Sequence, residues 1–277
     1  MIRPNTWPTR GLSFGPSAEL YDRTRPSYPA DSILWALGDE PVTVVDLGAG
    51  TGILTRRLVA LGYQTTAVEP DAAMCAQLAA NSPTVSVMAG TANSIPLPDV
   101  SVDAVLAGQA YHWFDPEPSH AEIARITRPD GVFASLWNLR DESIPWSAEL
   151  STILHDEDTG VDIETAAAVT LHGALATILD EEANHCGWLG NPTFGEEFGP
   201  VTWRAFRHVT RHSVDTLVDL VKSRCYYLTA SKQRQAEIER EVRQLVATHP
   251  DLADRSIFDL PYVTLVYRAH RLPVTST

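Results

Sequence analysis

Three glycines at alternating positions, Gly48, Gly50 and Gly52, close the run VVDLGAGTG and lead into a helix-like pattern. Bare backbone between a strand and a helix lets a ligand come close to main-chain N–H groups and to the positive end of the helix. That arrangement suits a nucleotide-like cofactor. Asp46 stands two residues ahead of the first glycine, and Glu69 ends the next apolar run. An ionised carboxylate only accepts hydrogen bonds, so either acid could take a donor group of such a ligand. Asp46 could instead cap the loop. Further on, GQAYHWF sets Tyr111, His112, Trp113 and Phe114 in one aromatic lip. Aromatic faces attract cations. His112 is the one group of this lip whose ordinary pKa lies near neutrality, which makes it the candidate general base. Orienting a loop or a bound substrate is its other reading.

Those residues need rigid elements behind them, and the first half of the chain alternates strands with helices. VTVVDLG (Val42–Gly48) has no helical period and reads as a buried strand. GILTRRLVALG spaces Ile53, Leu54, Leu58 and Leu61 as a helix stopped by Gly62. TTAVEP (Thr65–Pro70) is a second strand, after which Asp71 caps a helix containing Met74 and Leu78. VSVMAG (Val85–Gly90) and VDAVLAG (Val102–Gly108) follow as strands, then a helix around His120–Thr127 and the strand GVFASLWN (Gly131–Asn138). In such a parallel α/β sheet, ligands bind outside the carboxyl ends of the strands. Beyond Asn138 the pattern changes. Residues 147–186 read as helical, and Trp203–Ser213 as a strand. Apolar side chains at 214, 217, 218, 221, 225 and 228 predict one amphipathic helix. A charged helix at about 231–247 and the strand Pro261–His270 complete the chain.

With 44% hydrophobic residues in 277, the chain can bury a sizeable core, and disorder is excluded. A net charge of −14 argues against a general nucleic-acid binder, which needs a basic face. The charge is uneven. Residues 139–200 carry Arg140 alone against 13 acids, whereas residues 201–277 carry 12 basic and 8 acidic side chains. The middle segment therefore reads as an acidic insertion. Cys75, Cys186 and Cys225 are too widely spaced for a zinc knuckle or a disulfide framework, which favours a reducing compartment. No apolar run approaches the roughly 20 residues needed to span a bilayer, and the N-terminus lacks the apolar stretch of a signal peptide. A cytoplasmic location follows as the expectation. His155–Asp158 (HDED) reads as a solvated charge run, and His208 and His212 share a strand face without the carboxylates or cysteines of a metal site.

Two ligands compete for the glycine loop. A nicotinamide dinucleotide uses G-x-G-x-x-G/A, but Ile53 takes the place of the third fingerprint glycine and would press on a pyrophosphate. S-adenosylmethionine has no phosphate and needs only close backbone approach. At this point the sequence resembles the class I S-adenosylmethionine-dependent methyltransferases, in the small-molecule branch with ubiquinone/menaquinone-type and trans-aconitate-type enzymes. The resemblance spans roughly residues 14–140 and rests on VVDLGAGTG, TTAVEPDAAM, AGTANSIPLPDVSVDAVLAGQAYHWF and ITRPDGVFASLWN in that order, with FGPSAELYDRTRPSYP ahead of them.

The resemblance implies a cofactor site. Gly48, Ala49, Gly50 and Gly52 would face the methionyl part, with Asp46 near its ammonium. Glu69, followed by Pro70, would accept from the ribose hydroxyls, with Asp71 and Met74 beside ribose and adenine; Met74 could equally be helix core. Thr91 and Ala92 would flank adenine, where many relatives carry an acid and this chain has GTAN. Gln109 and Ala110 would border the sulfonium, and Tyr21 the cofactor, while Arg25 would bind a carboxylate or pin the segment. Tyr111, His112, Trp113 and Trp137 are the acceptor-binding candidates, with Asn138 and Arg140 as further wall residues; Tyr226 and Tyr227 could descend from the cap or simply pack.

The expected architecture is α/β: a doubly wound, mostly parallel seven-stranded sheet of Rossmann-like methyltransferase type, with an antiparallel edge hairpin and a helical cap. Residues 1–40 would form a lid segment and 41–138 the cofactor core; 139–257 would form the cap, including a strand near 203–213, and 258–277 the last strand. The expected activity is methyl transfer to a small-molecule acceptor by direct in-line displacement, without metal, nucleic acid or membrane, and with a homodimer as an option. Positioning can supply about 7–11 kcal/mol of the barrier, against about 3–5 kcal/mol from a general base. Loss of His112 should therefore slow turnover and spare cofactor binding. The rivals are an NAD(P)-dependent oxidoreductase and a non-catalytic S-adenosylmethionine-binding protein.

Overall fold

A computed structural model describes residues 18–38, 40, 42–154 and 194–273. The start of the expected lid, the helical stretch expected beyond Leu154, and the His155–Asp158 run lie outside the described residues. Helices α1 (Ala18–Thr24) and α2 (Ala30–Leu37) precede β1 (Thr43–Leu47), α3 (Ile53–Ala60), β2 (Gln64–Glu69), α4 (Ala72–Asn81), β3 (Ser86–Ala89) and β4 (Val102–Gly108). A 3₁₀ turn at Tyr111–Trp113 leads to α5 (Pro116–Ile126) and β5 (Thr127–Arg140). Then come α6 (Pro145–Leu154), β6 (Thr202–His212), α7 (Val214–Lys222), α8 (Cys225–Thr229), α9 (Lys232–Thr248) and β7 (Phe258–His270).

The strands form one seven-stranded sheet in the order β3-β2-β1-β4-β5-β7-β6. Parallel pairing joins β3 to β2, β2 to β1, β1 to β4 and β4 to β5. β7 runs the other way. The Asp130 N–H donates to the Arg271 carbonyl and the Arg271 N–H to the Gly131 carbonyl, while the Asp141 N–H donates to the Pro261 carbonyl, so rising numbers meet falling ones. Likewise the Gly199 N–H donates to the His270 carbonyl and the Leu272 N–H to the Glu197 carbonyl, which sets the chain entering β6 antiparallel to β7. The expected antiparallel edge is thus present. The order reverses between β1 and β4, so the loops leaving these two strands diverge and open a crevice there.

Central strands covered on both faces read as unbroken apolar runs, which explains VVDL and VDAVLAG. Val44, Val45, Val105 and Leu106 are fully buried. Ile33 of α2 and Leu54 and Leu58 of α3 pack in one cluster with Val44, Leu106, Ala134 and Leu136. Asp71 caps α4 by accepting from the Ala73 and Met74 N–H groups, as the sequence predicts. α5 begins earlier than expected, at Pro116, because proline at the first helical turn needs no partner for an N–H it lacks. The single helix expected over 214–228 is two. The Ser223 hydroxyl donates to the Leu220 carbonyl, and Arg224 turns to an extended backbone before Cys225.

Described residues 18–138, 194–206 and 264–273 form one compact unit, and 139–154 with 207–263 a second. The second has its own core: Trp146, Leu150 and Leu154 of α6, Leu217 and Val221 of α7, and Ile238, Val242 and Leu245 of α9. No helix of the described residues is long and apolar enough to cross a membrane.

Candidate cofactor and active site

At the carboxyl end of β1 the loop spends its own donors. The Gly48 and Ala49 N–H groups both donate to the Val68 carbonyl (2.8 and 3.1 Å), and the Gly52 N–H donates to the Ala49 carbonyl (2.9 Å). The Gly50 N–H donates to Glu69 Oε2 at 2.8 Å, and the Asp71 N–H to Glu69 Oε1 at 2.9 Å. A pyrophosphate cradle needs those amides turned outward. Four of them are committed inward, so the loop offers close approach rather than anion binding. A Cβ on Gly48 would lie 2.6 Å from the Ala110 Cβ and 3.7 Å from the Phe114 ring, so this glycine keeps the loop against the turn that follows β4. Gly52 has a packing role besides the one expected of it. With φ +88° it precedes α3, and a Cβ there would lie 2.8 Å from Leu78 Cγ, so it serves helix packing. A Cβ on Gly50 would meet only the Met74 sulfur at 3.7 Å.

Two buried oxygens of this loop are unspent. Asp46, 1% exposed, accepts from the Thr55 hydroxyl through Oδ2 at 2.5 Å, while Oδ1 has no hydrogen-bond partner among the described residues. The Thr51 hydroxyl is buried and equally unpaired. Burial, opposed by the Thr55 hydrogen bond and assisted by the charge of Glu69, pushes the Asp46 carboxyl up to about 7. Glu69, 6% exposed, is also raised by burial, and its two amide donors pull the other way. Each Glu69 oxygen keeps a second lone pair for a hydroxyl. Pro70 and Thr91 are exposed beyond β2 and β3, and Ala92 is buried. The Thr91 backbone bridges Ser94.

The aromatic lip divides in two. His112 lies between Trp113 and Trp137, with ring centroids 4.5 and 5.1 Å away. Tyr111 leaves this group. Its hydroxyl hydrogen-bonds His120 Nε2 at 2.7 Å, and its ring packs edge-on to Phe114, Phe133 and Phe194. Burial pushes the Tyr111 phenol up to about 12. Gln109, ahead of the turn, holds a left-handed backbone (φ +56°), and its amide donates to the Asn138 carbonyl at 2.9 Å. A non-glycine residue in that conformation costs about 1–3 kcal/mol and tends to mark a functional site.

The N-terminal helix is tied to this region. Asp22 accepts from Arg56 at 2.7 Å and from Asn81 at 3.0 Å, and Arg56 also donates to the Thr51 carbonyl at 2.9 Å. The Arg25 guanidinium stacks over the Tyr21 ring at 4.5 Å. Asn138, expected only as a wall residue, is a buried hub. It donates to the Pro26 and Ser27 carbonyls and accepts from the Thr264 hydroxyl at 2.6 Å. Asp22, Thr55, His120 and Phe194 were not visible as site residues; only the S/T at 55 on the loop-facing turn of α3 was a usable signal.

In the second unit, Arg140 donates to the Ser151 hydroxyl. Tyr227 is buried and bonded to Glu239, which also pairs with Lys222. His212 bonds the Thr210 and Thr216 hydroxyls. His208 stacks on Tyr262 at 5.5 Å, and burial pushes it down to about 4.

The matches to known proteins agree with this geometry. A methyltransferase-domain family model matches residues 45–135. An uncharacterized methyltransferase of Mycobacterium bovis is 40% identical over 259 residues, covering 93% of this chain and 95% of that protein. One from Schizosaccharomyces pombe is 28% identical over 270 residues, covering 95% and 99%. A solved structure from Anaeromyxobacter dehalogenans, described as a proposed type II methyltransferase, shares the fold with a TM-score of 0.62 at 22% identity, covering 90% of this chain and 99% of its own. The chain belongs to the class I S-adenosylmethionine-dependent methyltransferases. Its cofactor is S-adenosylmethionine, and the residues present fit that group: inward amides for a ligand without phosphates, and an unspent buried Asp46 oxygen suited to an ammonium.

Proposed function

We propose that the acceptor is a small molecule and that the methyl group passes to it by direct in-line displacement, in the branch with ubiquinone/menaquinone-type and trans-aconitate-type enzymes. The observation that carries this reading is the packing of the His112 ring against Trp113 and Trp137, beyond β4 and near the carboxyl end of β5. Such an aromatic group suits a compact, partly apolar acceptor, and a net charge of −14 disfavours a polyanionic one. S-adenosylmethionine supplies an electrophilic methyl on a positively charged sulfur. Charge is lost from sulfur as transfer proceeds, so apolar aromatic walls favour the transition state over the ground state.

In this reading Gly48, Ala49 and Gly50 admit the methionyl part, and Asp46 Oδ1 accepts from its ammonium. Glu69, with Pro70, grips the ribose. Met74, Thr91 and Ala92 border the base, while Gln109, Tyr21 and Arg25 close the remaining sides. His112 orients the acceptor and takes its proton where the acceptor carries one.

The test is incubation with S-adenosylmethionine labelled in the methyl carbon, against separated small-molecule, protein and nucleic-acid fractions of a cell extract. Label should enter the small-molecule fraction. Label confined to protein or nucleic acid would refute the proposal. With a chiral methyl group, inversion is expected and retention would exclude a single in-line step. His112→Ala should lower kcat about 10²–10⁴-fold if it serves as base, with S-adenosylhomocysteine binding unchanged by calorimetry.

A further inference from the structure

The 3₁₀ turn after β4 touches the glycine loop directly, since a Cβ on Gly48 would collide with Ala110 and meet Phe114. What fixes that turn lies outside the cofactor cleft. The Tyr111 hydroxyl meets His120 Nε2 at 2.7 Å, the two rings stack with centroids 5.9 Å apart and 21° between planes, and Tyr111 sits edge-on to Phe114 at 5.8 Å. His120 is 5% exposed on the inner face of α5. It is locked from the far side as well. Gly195 (φ +85°) passes so close that a Cβ there would lie 3.0 Å from His120 Cβ, and Phe194 stands 6.1 Å from the His120 ring. Burial lowers the His120 pKa, while the charge of Glu197 raises it. A neutral His120 can accept the phenol proton in this bond.

We infer that His120 is a positioning residue: through Tyr111 it sets the Ala110–Phe114 turn, and so the wall against which the glycine loop holds its cofactor. A solvent-facing histidine on α5 could not do this. A part-buried hydrogen bond of this kind ties the turn to α5. The inference concerns cofactor binding alone and does not depend on which acceptor is methylated.

The experiment is a double-mutant cycle read by calorimetric titration with S-adenosylhomocysteine, at a temperature well below the melting point of every variant. His120→Ala and Tyr111→Phe should each weaken binding about three- to tenfold. The double variant should be no weaker than either single one. His120→Gln, which can still offer an acceptor to the phenol, should stay near the wild type. Unchanged affinity in Tyr111→Phe, or losses that simply add in the double variant, would overturn the inference. If His120→Ala does not fold, Tyr111→Phe and His120→Gln decide the matter between them: the first must weaken binding and the second must not. A lowered melting temperature with unaltered affinity would show a purely structural contact and would also overturn it.

Discussion

In the unit carrying the glycine loop, Asp46 Oδ1 and the Thr51 hydroxyl are buried without partners among the described residues, and Gln109 holds a left-handed backbone. In the helical unit, Tyr227, Glu239 and Lys222 satisfy one another, and Arg234 donates to the Ile153 carbonyl at 2.8 Å. An unpaired buried polar group costs about 1–3 kcal/mol, and a strained residue a similar amount. The glycine-loop region of the first unit therefore carries a deficit that a bound ligand can offset. Ligand binding should accordingly be felt mainly in the first. In the second unit the Ser147 hydroxyl, His208 Nε2 and the Tyr262 hydroxyl are likewise buried and unpaired among the described residues.

The greatest loss should follow substitution at Gly48. Gly48→Ala places a methyl 2.6 Å from Ala110 at φ +71°. It should cost about 2–4 kcal/mol of stability in thermal melts and abolish measurable S-adenosylhomocysteine binding. Retained binding would mean that the loop has slack. Next comes Glu69→Gln, which keeps the shape but turns one acceptor into a donor facing an amide. Affinity should fall about ten- to hundredfold by calorimetry, the worth of a hydrogen bond to a charged acceptor.

Asp46 gives a pH signature of about 1.4 kcal/mol per pH unit. Burial lifts its carboxyl from 3.8 to about 7. The unliganded folded chain thus holds a proton that the unfolded chain releases. The stability this proton contributes is full below about pH 4 and drains away as the pH rises to about 7. Asp46→Asn, neutral throughout, should lack this slope in melts between pH 4.5 and 8. Parallel curves for the two proteins would show that Asp46 is ionised in the free enzyme. The smallest effect belongs to the helical unit. Tyr227→Phe should cost about 0.5–1.5 kcal/mol in denaturant unfolding and leave S-adenosylhomocysteine affinity untouched, since its partners are Glu239 and the local core.

What was legible in the sequence follows the same division. β1 and β4 announce themselves because strands buried on both faces need unbroken apolar runs, and the glycines announce a backbone approach. Glu69 could be placed because it ends β2 beside that loop, and the Asp71 cap because its side chain acts only three residues along. The partner of Tyr111 could not be read, because His120 sits nine residues away on a helix where it looks like any polar position. That Leu78 occupies the open side of Gly52 cannot be read from spacing alone. The break at Ser223–Arg224 is hidden because apolar spacing carries across it, while the Ser223 bond back to Leu220 and the extended Arg224 backbone end the helix. Interactions between neighbours in sequence were visible. Those closed by the fold were not.

With its amides turned inward, this loop should admit S-adenosylmethionine and reject a dinucleotide. Calorimetric titration of the wild-type protein at pH 8 with S-adenosylhomocysteine and, in parallel, with NAD and NADP tests it most directly. Saturable binding of S-adenosylhomocysteine at one site per chain, with no heat from either dinucleotide, is expected; dinucleotide binding with no response to S-adenosylhomocysteine would refute it.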